Sequence, residues 1–208
     1  MINLFHINSS CSTAVKAALS IVGENYSVNE VDLSAKTDEF IIASPLGKVP
    51  VVSLDNTSIM EGGAINMWLS ARNPEAGLMP ALDTMEGAEA LKWLFYAYGT
   101  IHPVWVRIFF PARFANEDAI ASVKKMAVND LFKLYALIDE RLSNCPYLAG
   151  DRLSLADLYF AATIHWEASL DEKLTLRFPS IAAHRDRVIA QPGVKAAFAG
   201  EFGYAQTA

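Results

Sequence analysis

Ile2 to Ile7 is a short run of β-type character, and the small polar cluster Asn8 to Thr13 reads as a loop entering a helix. Val15, Ala18, Leu19 and Val22 then fall at i, i+3, i+4 and i+7, one apolar helical face, with Gly23 placed to close it. Tyr26 and Val28 alternate with polar neighbours toward Val31, a second strand. Strand, helix and strand predict a right-handed βαβ unit with parallel strands. A weaker helical pattern spans Asp38 to Ala43, and Ser44 to Pro50 is a loop with two prolines around a glycine. Val51 to Leu54 and Thr57 to Met60 read as strands joined at Asp55-Asn56, a hairpin turn that tolerates positive φ; Glu61 to Ser70 then begins a helix. The order β-α-β-α-β-β-α is an α/β layer of mixed parallel and antiparallel strands.

The rest of the chain has helical patterning. Ala88, Leu91, Phe95 and Tyr98 lie on one face that continues to His102, where Pro103 is expected to kink or end the helix. Leu131, Leu134, Ile138 and Leu142 mark a long helix stopping before Cys145-Pro146. Leu153 to Leu158 is a helix start. Ser154 is the N-cap, Asp157 completes a capping box, and Leu153 with Leu158 forms a staple. Leu155, Leu158, Ala162 and Trp166 are its expected buried stripe, and two shorter helices, around 180–190 and 193–200, complete a bundle. Residues 1–76 hold four aromatic residues and 77–208 hold eighteen, with Asn73 to Pro80 rich in turn residues between them. The expected division is therefore 1–76, a linker at 77–84, and a helical domain at 85–208.

Composition narrows the partners. The 208 residues are 52% hydrophobic and carry a net charge of −6 without a Lys/Arg block, which argues against a nucleic-acid or anionic membrane partner. No apolar stretch reaches membrane-spanning length, and Met1 to His6 lacks a basic n-region, so the expected setting is cytoplasmic. Two cysteines, Cys11 and Cys145, make neither a disulfide framework nor a metal-ligand spacing, and no metal is expected. Cys145, beside Pro146 at a helix end, reads as structural.

Three places can carry chemistry. Ser9-Ser10-Cys11-Ser12 precedes the first helix, whose free N–H groups stabilise anions; either a side chain here holds a ligand thiolate, Cys11 itself ionises, or the cluster is a plain N-cap. Val49-Pro50 leads into a strand and, if cis, presents the Val49 backbone to an extended peptide-like ligand, although trans is the commoner state of such a bond. Glu61-Gly62 opens a helix and pairs a carboxylate with free N–H groups, suited to a zwitterion or simply to the helix dipole.

Taken together and in this order, these fragments resemble the glutathione transferase superfamily. Pro45-Leu46-Gly47-Lys48-Val49-Pro50 is similar to its Asn-Pro-x-Gly-x-Val-Pro loop with a cis-proline, Glu61 to Ile65 to its Glu-Ser-x-x-Ile motif, and Leu153 to Asp157 to its N-capping box. Within the superfamily, Ser10-Cys11-Ser12 and a histidine on the first helix of the second domain resemble the bacterial beta class. The resemblance covers essentially the whole chain and implies an α/β thioredoxin-like domain followed by an all-α helical bundle. It implies that Cys11, with Ser10 or Ser12 and His102, meets the glutathione sulfur. Lys36 would meet the glycine carboxylate, with Lys48 and Pro50 also at the peptide; Val49 would pair with the cysteinyl backbone, and Glu61 and Gly62 would hold the γ-glutamyl end. Gly62 stands where the family has Ser or Thr, leaving only its N–H for that carboxylate. Tyr98, Trp105, Phe109 and Trp166 are the expected wall of an apolar second-substrate pocket. The implied function is conjugation of glutathione to small apolar electrophiles by a homodimer. Thiol transfer through Cys11, or a non-catalytic binding module, are the alternatives.

Overall fold

The computed structural model describes residues 1–55 and 57–204. Strand β1 (Ile2–His6) is followed by α1 (Ser12–Val22), β2 (Tyr26–Glu30), α2 (Asp38–Ala43), β3 (Val51–Leu54), β4 (Thr57–Met60) and α3 (Gly62–Arg72). The four strands form one sheet in the order β2-β1-β3-β4, with β1 parallel to β2 and the other pairs antiparallel. Leu4 is opposite Val28 on one side and Val52 on the other. As a central strand with both faces covered, β1 buries Ile2 and Leu4 in the main core and Phe5 in a small second cluster with Phe40, Ala43 and Val51. The expected βαβ unit and hairpin are present. Asp55 takes φ 48°, while its turn partner Asn56 lies outside the described residues.

The helical part comprises α4 (Met85–Phe95), α5 (His102–Phe109), α6 (Ile120–Asn144), α7 (Leu155–Thr163), α8 (Leu174–Arg177), α9 (Pro179–Ile189) and α10 (Pro192–Phe198). Two expectations are refined here. Of the alternatives at Pro103, the helix does not end: residues Tyr96–Ile101 form a π-helical segment in which His102 N–H bonds Ala97 O, and the chain continues directly into α5 with Pro103 in its first turn. The wider turn absorbs the missing proline N–H and re-phases the helix. The buried face of α4 is Gly87, Ala90, Trp93 and Leu94, not Ala88, Leu91 and Phe95, and Phe95 is 67% exposed. Likewise α7 is buried on every side, not along one stripe, and Trp166 lies beyond its end in a 3₁₀ segment. In the connecting stretch, Leu78 is buried and its carbonyl accepts from Leu155 N–H at 3.0 Å, fastening that stretch to the start of α7.

Two buried carboxylates organise the packing. Asp157 caps α7 by accepting from Ser154 N and Oγ (2.8 and 2.6 Å), and its other oxygen accepts from Leu148 N–H and His184 Nε2 (2.8 and 2.7 Å), so the capping box also anchors α9. Glu201, 1% exposed, sits just past α10, which packs on α1. Its Oε1 accepts from His6 Nε2 (2.8 Å) and Lys16 Nζ (2.7 Å), and its Oε2 from Ser9 N–H (2.6 Å) and Thr13 Oγ1 (2.9 Å). One carboxylate therefore grips β1, the β1–α1 loop and α1 together.

Against the opposing effect of burial, hydrogen bonds from His6, Lys16 and the Ser9 backbone hold the Glu201 carboxyl down at about 2 from 4.5. The folded chain releases this proton more readily than the unfolded one, so the stabilisation is complete above 4.5 and is lost as pH falls toward 2. Glu201→Gln is expected to lower stability at neutral pH and to flatten the pH dependence of unfolding across that interval, as read from denaturant midpoints at stepped pH.

Candidate active site

A cleft of about 560 Å³ lies where the sheet domain meets α5. Cys11, Lys36, Lys48, Val49, Pro50, Glu61 and Gly62 line it from one side, and Tyr98, His102, Val106 and Arg113 from the other. Residues separated by more than a hundred positions in the sequence thus share one cleft. A cavity of about 620 Å³ beside α6 and α8 contains none of the candidate residues.

Cys11 ends the β1–α1 loop, immediately before α1, and is half-buried. Its Sγ is 3.7 Å from Val49 O, the carbonyl that precedes the cis Val49-Pro50 bond. Burial pushes the thiol up to about 12, a backbone N–H opposes this only in part, and the Glu61 carboxylate raises it further. Burial therefore favours a neutral S–H at Cys11 at physiological pH, and of the readings the cluster allowed, an ionised Cys11 is the one it disfavours. Ser10 and Ser12 are corrected too. Ser12 is fully buried, and its Oγ is engaged by His6 Nδ1 and Ser10 Oγ (both 2.7 Å) and by the Ile7 backbone. Neither serine lines the cleft, because their hydroxyls satisfy the loop's own polar groups.

Glu61 has φ 68°, a left-handed conformation that costs a non-glycine residue of order 1–3 kcal/mol. Its carboxylate makes no capping bond to α3, so the side chain is not spent on the helix it precedes. Gly62 is the first residue of α3, and the Tyr98 ring rests on it. Lys36 packs over Gly47 at the mouth of the cleft.

On the helical side, His102 Nδ1 bonds the hydroxyl of Tyr159, a fully buried residue of α7. Burial drives the Tyr159 phenol well above its usual range, so it stays protonated. That O–H has no other partner among the described residues, so it donates to Nδ1 and leaves the proton of the imidazole on Nε2. Burial and nearby Lys48 lower the His102 pKa, keeping the ring neutral. The aromatic wall differs from expectation. Tyr98 lines the cleft, but Trp105 is wholly buried, its indole N–H reaching Tyr135 Oη at 3.3 Å, because its face of α5 packs toward α6. Phe109 and Trp166 line an adjoining recess, their rings 5.5 Å apart, and Trp166 reaches back to Ser9 O at 3.0 Å. Its ring is 5.8 Å from that of His102.

Sequence reasoning missed Tyr159 and Arg113. Arg113, in a 3₁₀ turn after α5, stacks over Phe110 at 4.2 Å and adds a cation to the cleft. Its Phe-Pro-Ala-Arg context was the available signal; Tyr159, inside an apolar helix, carried none.

Residues 1–71 match the family model described as "Glutathione S-transferase, N-terminal domain", and 90–192 match "Glutathione S-transferase, C-terminal domain". Glutathione S-transferase GstA of Escherichia coli O157:H7 is 27% identical over 95% of this chain and 98% of its own. A bacterial beta class glutathione S-transferase of Sphingomonas chungbukensis superposes with a TM-score of 0.82 at 27% identity, covering 94% of this chain and 96% of that one. A sphingomonad glutathione S-transferase solved with glutathione gives a TM-score of 0.79, also at 27% identity and over the same shares. The sheet layer is thus a thioredoxin-like domain followed by the family's helical domain, and the chain belongs to the glutathione S-transferase family of enzymes.

Proposed function

We propose that the chain conjugates the thiolate of glutathione to small apolar electrophiles. The observation carrying this reading is that two uncharged donors, the Cys11 thiol and the His102 imidazole, line one cleft together with Glu61 and the N-terminus of α3. Glutathione's own thiol is mostly protonated at neutral pH, and its anion is the nucleophile. The Cys11 S–H and the Nε2–H of His102 stabilise that anion without adding charge of the same sign. The thiol proton passes to solvent, the sulfur lone pair forms the new S–C bond, and the leaving group departs with its electron pair. Val49 pairs with the cysteinyl backbone, Glu61 takes the γ-glutamyl ammonium, and Lys36 with Lys48 takes the glycine carboxylate. The electrophile enters from the side of Val106, with Phe109 and Trp166 in the adjoining recess.

Thiol transfer through Cys11 would need its thiolate, which burial and the Glu61 carboxylate both disfavour. Conjugation is therefore the better reading of the same geometry. A homodimer in the cytoplasm goes with it; Phe95 and Met85, 67% and 85% exposed on α4, are apolar surface that a second copy would cover. Sedimentation velocity is expected to give twice the chain mass.

The function is tested with a panel of aryl halides, epoxides and hydroperoxides alongside retention on immobilised glutathione; silence and no retention would sink the proposal. Cys11→Ala is expected to keep conjugation at a rate about ten-fold lower, the scale of one hydrogen bond to a charged group. Complete loss would instead favour covalent chemistry at Cys11. Tyr159→Phe, which keeps the ring but lets His102 adopt either tautomer, is expected to lower kcat several-fold while leaving KM for glutathione unchanged.

A further inference from the structure

Tyr98 meets α3 at the place where the chain has no side chain. A Cβ built on Gly62 would lie 2.8 Å from both the Tyr98 hydroxyl oxygen and its Cε1, and 3.1 Å from Cζ. On Gly63 it would be 3.5 Å from ring atom Cδ2. The phenol thus fills the volume a side chain at 62 would need and brings its oxygen beside the first turn of α3, where backbone N–H groups are free. A second polar contact fixes it: Asn66 Nδ2, buried one turn along α3, donates to Tyr98 Oη at 3.3 Å. Asn66 Oδ1 is buried without a partner among the described residues, so the phenolic O–H has two acceptors open to it, that oxygen after a turn of the amide and a ligand in the cleft that Tyr98 lines. On its other side the ring packs against Tyr159 with centroids 4.3 Å apart, so little rotamer freedom remains to be lost on binding.

We propose that the Tyr98 hydroxyl does the work of the absent side chain at position 62, donating to the α-carboxylate of glutathione's γ-glutamyl residue, and that Tyr98 is the residue by which this chain recognises that end of the tripeptide. The assignment rests on the glutathione reading above. It makes residues 62 and 98 mutually exclusive partners: a side chain on one requires the other to withdraw. It also puts the recognition hydroxyl on a helix of the second domain, so the γ-glutamyl end is held by both domains at once. Burial, with Cys11 and Glu61 adding to it, keeps the phenol protonated and a donor across the physiological range.

The test is calorimetric titration of wild type and Tyr98→Phe with glutathione and with γ-aminobutyryl-cysteinyl-glycine, which lacks only that carboxylate. Wild type is expected to bind glutathione on the order of ten-fold more tightly than the analogue, and Tyr98→Phe to lose about that factor for glutathione and nothing for the analogue. In turnover the loss is expected in KM for glutathione, with kcat retained. An undiminished affinity of Tyr98→Phe, or an equal loss for both peptides, overturns the assignment while leaving the glutathione reading standing. Binding of neither peptide by wild type overturns that reading and the assignment with it. A rescue adds an independent readout: Gly62→Ser is expected to weaken glutathione binding alone, but to restore it in a Tyr98→Ala background, where the ring no longer occupies the serine's space. Failure of the restoration counts against mutual exclusion.

Discussion

The position of Cys11 in the cleft depends on one buried carboxylate. Glu201 has both oxygens occupied by groups from β1, the following loop and α1, and it reaches them from beyond the last helix. Removing any one side of such an arrangement leaves charge or donors unpaired out of water, a cost of several kcal/mol, whereas the complete set satisfies itself. The same closure holds Ser9 at φ 59°, since its N–H goes to Glu201, its hydroxyl accepts from Phe202 N–H and its carbonyl accepts from Trp166. Two residues further on is Cys11. The geometry of the sulfur site is thus set by docking of the helical domain as much as by the sheet that carries it.

That docking also decides the electrostatics. A helix N-terminus alone would lower a thiol's pKa, but the interface that positions α1 also buries Cys11 and faces it with Glu61, and here burial outweighs the helix end. The result is a site built from neutral donors, the thiol and an imidazole held neutral by burial and by Lys48. Neutral donors suit a reaction whose nucleophile must become an anion inside the cleft, because they gain interaction as the charge forms and offer the resting protein no competing nucleophile. In a chain of net charge −6, attraction for an anionic peptide is then local, concentrated in Lys36, Lys48 and Arg113 at the cleft.

Local patterns were legible where the local chain decides the outcome. The βαβ unit, the hairpin and the Ser154–Asp157 capping box depend on periodicity and turn chemistry over a few residues, and all are present. What failed depends on distant partners. Ala88, Leu91 and Phe95 do not share a face with His102 because the π-helical segment between them changes the turn, and a periodic extrapolation assumes a constant one. Ser12 resembled a ligand donor, but its hydroxyl belongs to His6, whose orientation follows from Glu201, 195 residues away from it. Trp105 had the composition of a pocket wall and became core, since only the α5–α6 contact distinguishes the two faces of a helix rich in aromatics on both.

The same distinction governs how a departure from a family motif should be read. A glycine where the resembled motif has a hydroxyl looks, along the sequence, like a lost ligand contact. In space the position is not empty: Tyr98, thirty-six residues away, occupies it with an oxygen of its own and is braced by Asn66 from α3 and Tyr159 from α7. A close-packed interface allows such an exchange only as a pair, because a side chain at 62 beside the Tyr98 ring clashes and the absence of both leaves a void. On that proposal Gly62 is the steric condition for Tyr98 rather than a weakness of the site, and recognition of the peptide draws on both domains, whose packing Glu201 secures.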